Sequence, residues 1–252
     1  MKTTINNKIM SRNMDKSETS ETSCLLRPWL SAPGLYLIHG YFGTGKTLLA
    51  LKIACAVASG SKNVLFVNGE LWVKDLQDQL KAVLADMNLK ESLPIWIISS
   101  DLPYGTLDLS TRPSLEMLEE FVISDGIQLI VLNSVGTLCH SKQGKLRAWC
   151  LKMCDRGKAV LLIRRDSVGK KGPKTFRKEE LFDAIIRLAR PEGCYISKGH
   201  FRKARDLRGT AMKDFTIPLR ARERHKKKPN FFEQQRCLKL LIKQRFLGNC
   251  HF

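Results

Sequence analysis

The chain has 252 residues, 43% of them apolar, and 43 Lys and Arg against 24 Asp and Glu give it a formal net charge of +19. That length suits one sizeable α/β domain with tails, and that apolar share fills a core, which excludes a fully disordered chain. No apolar run approaches the roughly 18–20 residues that cross a bilayer, and no apolar leader opens the sequence, so a non-membrane, cytoplasmic protein is expected.

Residues 1–23 are polar and aperiodic and read as a flexible arm. The domain is expected over 24–219, and 220–252 as a basic linker followed by a helix at 231–247. Within the domain, short apolar runs place strands at 34–39, 63–67, 94–98, 127–132, 159–163, 183–188 and 194–198. Helical periodicity falls between the first five, near 46–58, 73–87, 114–122 and 145–154. Apolar strands alternating with crossover helices predict an α/β fold, a mostly parallel sheet covered on both faces. The last two strands follow each other with no helix between them, which predicts an antiparallel hairpin at one edge. Cys150 and Cys154 lie four apart, but Leu146, Trp149 and Met153 share their helical face, so they read as core and not as half a metal site.

Residues 40–47 read Gly-Tyr-Phe-Gly-Thr-Gly-Lys-Thr and match G-x-x-x-x-G-K-[ST] in full, directly after an apolar strand and directly before a helix. Gly40, Gly43 and Gly45 let the backbone turn sharply and aim successive N–H groups at phosphate oxygens, with Tyr41, Phe42 and Thr44 completing the loop. The helix that starts near Lys46 adds its positive end. Lys46 is expected to neutralise the β- and γ-phosphates of ATP, and the Thr47 hydroxyl to ligate Mg²⁺.

Beyond this loop the chain resembles the RecA-type ATPase domain of the RepA-like plasmid and phage replicative helicases. The resemblance runs through LRPWL (26–30), VLFVNGEL (64–71), SSDLPYGTLDLST (99–111), LIVLNSVGTLC (129–139), RKEELFDAIIRLARP (177–191) and FRKARDLRG (201–209). It implies a RecA-like P-loop fold, with Glu70 as the carboxylate that polarises the attacking water. It also implies that Lys203 and Arg205 reach into a neighbouring subunit's site, in a homo-oligomer for which a hexamer is one closed form.

The chain departs from that family in three places. The strand LIVLN ends in Asn133, where relatives carry the acidic residue that holds the magnesium water shell. An amide there can still hydrogen-bond a water of the magnesium shell but supplies no negative charge, so Asn133 is expected at the metal site with hydrolysis weakened, and Asn133→Asp is expected to raise it. Arg164 and Arg165 stand where relatives place a histidine sensor, and the segment at 140–149 is short.

The large positive charge favours a polyanionic partner over a merely soluble basic surface. The 166–178 loop carries Lys170, Lys171, Lys174, Arg177 and Lys178 with Phe176 and two glycines, a composition suited to single-stranded DNA. The basic run at 220–228 offers further phosphate contacts. Two classes of function stay open: an ATPase acting on DNA, and a nucleotide- and DNA-binding or regulatory protein that no longer hydrolyses. An unrelated signalling P-loop protein fits less well, because it needs neither the Lys-Ala-Arg strand nor the basic loop.

Overall fold

A computed structural model describes residues 23–90, 92–100, 107–141, 143–166, 179–192, 194–205 and 213–219. Residues 1–22, the basic loop from 167 to 178 with Lys170, Lys171, Lys174, Arg177 and Lys178, and the 220–252 tail lie outside them.

A two-stranded hairpin, β1 (Ser23–Leu26) and β2 (Leu30–Ala32), precedes the main sheet. The expected arm therefore gives way to structure at its last residue, Ser23. Strand β3 (Gly34–Gly40) leads through the phosphate loop into α1 (Lys46–Ser59). Then come β4 (Val64–Asn68), α2 (Val73–Asp86), β5 (Ile95–Ser99), α3 (Arg112–Ser124) and β6 (Leu129–Asn133). A single helical turn, α4 (Val135–Leu138), and α5 (Gly144–Asp155) follow, before β7 (Ala159–Arg165). A 3₁₀ turn (Glu179–Leu181), β8 (Ala184–Ala189), β9 (Ile196–Ala204) and β10 (Phe215–Pro218) complete the described chain.

The fold is α/β. The main sheet has eight strands in the order β10-β9-β8-β3-β7-β6-β4-β5, parallel from β8 to β5 and antiparallel across β8-β9-β10. The expected hairpin is β8-β9, but β10 and not β9 forms that edge.

Two buried clusters divide the sheet residues by the two-residue period of a strand. Tyr36, Ile38, Val64, Phe66, Val131 and Ile163 face one cluster, which α1 and α2 cover. Leu37, Leu65, Val67, Ile130, Leu132 and Leu162 face the other, beneath α3 and α5. Both faces are buried, so the strands read as unbroken apolar runs instead of alternating ones. Trp149, Cys150 and Met153 lie in the second cluster, and burial pushes the Cys150 thiol far up. Both cysteines are free thiols in that core, and no metal-ligand cluster occurs among the described residues. No described helix is long and apolar enough to cross a membrane.

From β3 the chain moves outward through β4 to the edge strand β5, then turns back through β6 to β7 beside β3. Ligands of open α/β sheets bind outside the carboxyl ends of the strands, and the loop at 40–47 follows the carboxyl end of β3.

Candidate nucleotide site

Gly43 and Gly45 have φ of 75° and 74°, the left-handed region that disfavours any side chain. A Cβ on Gly40 would run into the Leu188 carbonyl oxygen. These three positions therefore need glycine, and the backbone they permit turns tightly into the start of α1. No acidic residue lies in the first turn of α1, so nothing in that turn offsets the helix's positive end.

Lys46 is 5% exposed and its ammonium points into the turn, donating to the Tyr41 carbonyl at 2.7 Å. Thr44 Oγ1 donates to the same carbonyl at 2.8 Å. Burial pulls the Lys46 pKa down, and the charges of Glu70 and Asp166 oppose that shift. Glu70 is thus placed to act on Lys46. Its Oε2 is buried and has no hydrogen-bond partner among the described residues.

The carboxyl ends of β4, β5 and β6 bring a set of amides and hydroxyls under this loop. Sheet register sets Asn68 beside both Ser99 and Asn133. Thr47 Oγ1 donates to Asn133 Oδ1 at 3.2 Å, and Asn133 Nδ2 donates to Asn68 Oδ1 at 3.3 Å. Asn68 Nδ2 donates to the Leu71 carbonyl at 2.6 Å and to Ser99 Oγ at 2.8 Å. Asn68 and Asn133 are both fully buried.

On the other flank, β7 ends beside β3, with Arg165 opposite Gly40. The Arg165 guanidinium lies over the Phe42 ring, 4.9 Å from its centroid, so one of the two arginines does contact the loop. His39, just before the loop, meets Asp166 through Nδ1 at 2.8 Å. Asp166 also donates its backbone N–H to the Gly40 carbonyl at 3.0 Å and is the last described residue before the basic loop. A concavity of about 420 Å³ opens between Tyr41, Phe42 and Thr44 and the stretch 187–192, a size in the range of small-molecule sites.

Lys203 and Arg205 are elsewhere. Lys203 sits opposite Ile185 near the start of β8, whereas Gly40 lies opposite Leu188 near its end. Lys203 Nζ donates to the carbonyls of Glu179 and Glu180 at 2.9 and 3.1 Å, and Arg205 pairs with Asp183 at 2.7 Å. These cations therefore lie at the opposite end of the strands from their own phosphate loop. The structure brings together Glu70, the 40–47 loop and Asn133, and leaves Lys203 and Arg205 apart.

The model of a family described as AAA domain matches residues 7–161, more than half of the chain. The chain belongs to that family. It is also 35% identical over 75 residues to the DNA repair protein RadA of Helicobacter pylori, a match covering 30% of this chain and 16% of RadA. The chain thus spans only a small part of that relative's length. Family membership and the RadA likeness together support a RecA-like, nucleotide-binding ATPase domain; the match to RadA reaches no further than that domain-level likeness.

Reading the residues one by one misses Asn68, Ser99, His39 and Asp166. A signal for the first was present: VLFVN and LIVLN are five-residue apolar strands that both end in asparagine. A buried strand ends in an amide only where that amide finds partners.

Proposed function

We propose that this chain binds ATP with Mg²⁺ in the 40–47 loop and hydrolyses it slowly, acting as a cytoplasmic homo-oligomer on single-stranded DNA. The observation that carries the reading is the Glu70 carboxylate, whose buried Oε2 has no partner among the described residues and whose charge opposes the burial-lowered pKa of Lys46 in the glycine loop. A buried acceptor left unsatisfied is costly, and a water donor between carboxylate and γ-phosphate relieves it.

In this reading the backbone N–H groups of Gly43, Gly45 and Lys46 hold the phosphates, and Lys46 leaves the Tyr41 carbonyl for a phosphate oxygen. Thr47 donates its proton to Asn133 and so turns its oxygen lone pairs outward. The donors fit a magnesium ion held chiefly by phosphate oxygens and water, with Thr47 as the protein ligand. Such an ion would draw charge from the transferring phosphoryl group. Glu70 orients the water and accepts its proton. Lys203 and Arg205 serve a neighbouring copy's site, because they lie at the far end of the strands from their own.

The domain spans 24–219, and its kinship is with plasmid and phage replicative helicases. RadA's description as a DNA repair protein supports a DNA partner, as does the +19 charge. Lys170, Lys171, Lys174, Arg177 and Lys178 are the proposed DNA contacts. The neutral Asn133 favours a second reading, in which nucleotide is bound and not turned over.

Phosphate release, measured with and without single-stranded DNA, tests the reading. Slow release that DNA stimulates and Lys46→Ala abolishes is expected. Mixing Glu70→Gln chains with Arg205→Ala chains should restore part of the rate, since each supplies what the other lacks across an interface. Tight ATP binding with no release under any condition would select the second reading.

A further inference from the structure

The buried hydrogen bonds at 68, 99 and 133 permit only one arrangement of their amides. Asn68 must present its NH₂ to the Leu71 carbonyl and its oxygen to the N–H groups of Glu70 and Leu71, at 3.4 and 3.2 Å. Its Oδ1 therefore faces Asn133, and Asn133 must meet it with NH₂. That leaves Asn133 Oδ1 toward Thr47, whose hydroxyl has to donate. The result is a directed chain from the Thr47 hydroxyl through two side-chain amides to the backbone turn that carries Glu70.

We infer that Asn68 is a positioning residue, which with Asn133 ties the Glu70 turn to Thr47, and that the site is built around a neutral residue at 133. The inference rests on the reading of Glu70 and Thr47 given above. An ionised aspartate at 133 can accept from Thr47 but cannot donate to Asn68, so two acceptors face each other at about the distance now bridged by a hydrogen bond, between two side chains that are both fully buried. Flipping Asn68 removes that clash only by turning its oxygen onto the Leu71 carbonyl and its NH₂ onto the N–H groups of Glu70 and Leu71. The contacts thus oppose the expectation that Asn133→Asp alone restores activity. On this view the amide keeps the Thr47 hydroxyl oriented, which a carboxylate would also do, and it additionally holds Glu70 in place, which a carboxylate cannot.

Hydrogen exchange on the full-length protein reads the coupling directly at the Glu70 and Leu71 amides, whatever the turnover. Asn133→Asp and the uncharged, smaller Asn133→Ala are each expected to speed exchange at residues 70 and 71 at least tenfold without nucleotide, while amides of α1 keep their wild-type rates. The alanine variant covers the case in which a buried aspartate unfolds the chain. In wild type, Mg²⁺ with ATP should slow exchange at these two amides, and both variants should lose that response. In steady-state assays Asn68→Ala should lower kcat at least tenfold with KM for ATP changed less than threefold, because the hydrogen bonds of Asn68 go to the Glu70 turn, Ser99 and Asn133 and not to the 40–47 loop. Wild-type exchange at residues 70 and 71 in both Asn133 variants would overturn the inference, and so would a rise in turnover on Asn133→Asp. Absence of phosphate release from the wild type would defeat only the proposed hydrolysis, since the exchange measurement decides the coupling without it.

Discussion

His39 Nδ1 lies 2.8 Å from an Asp166 carboxylate oxygen, and this pair joins the strand that feeds the phosphate loop to the strand that feeds the basic loop. His39 is 5% exposed. Its desolvation outweighs the attraction of Asp166, and Arg164 and Arg202 add to the same side, so the imidazole pKa is lowered from its ordinary value. The neutral ring then donates Nδ1–H to the carboxylate.

Stability should therefore depend on pH through this group. Between the lowered folded pKa and the ordinary value of about 6.5, the unfolded chain binds more protons than the folded one. The contribution is complete above about 6.5 and is lost as the pH falls through that window. Urea denaturation of wild type and His39→Gln at pH 7.5 and 5.5 checks this. The penalty of the substitution should shrink at the lower pH, and a penalty that grows would contradict the assignment.

Gly45→Ala should destabilise the chain and abolish nucleotide binding together. The residue has φ of 74°, which costs a side chain roughly 1–2 kcal/mol. A Cβ there would also press on the Leu219 side chain. Denaturation midpoints and nucleotide titrations on the same preparation separate the two effects.

Thr47 sets a third expectation. Thr47→Ala removes the proposed magnesium ligand and the donor to Asn133, so ATP affinity should no longer differ between Mg²⁺ and EDTA. Thr47→Ser keeps the hydroxyl and should retain most of that difference. Equal magnesium dependence in all three proteins would remove Thr47 from metal binding.

Much of the fold was legible because its strands are buried on both faces. Runs such as LYLI and LIVL admit no surface reading, and α2 and α3 carry one apolar face each. The hairpin at Ser23–Leu26 and Leu30–Ala32 escaped because strands of four and three residues are shorter than any periodicity window. Strand β10, four residues ending in proline, escaped for the same reason. In the site, the phosphate loop was legible as a local pattern. Asn133 could be named from the resemblance, but its meeting with Asn68 and Ser99 could not, because the three are 31 and 34 positions apart in sequence and meet only through sheet register. Lys203 and Arg205 could be named from the resemblance, but only the antiparallel return of β9 shows how far they lie from their own loop.

Isothermal titration of ATP into the wild-type and Lys46→Ala proteins, in the presence of Mg²⁺, tests the central claim most directly. The wild type should bind saturably with one nucleotide per chain. Loss of a buried charge-assisted hydrogen bond, about 1.5–3 kcal/mol, should weaken Lys46→Ala by roughly 10- to 150-fold. No saturable binding at millimolar ATP, or equal affinity in the two proteins, would contradict the assignment of residues 40–47 as the nucleotide site.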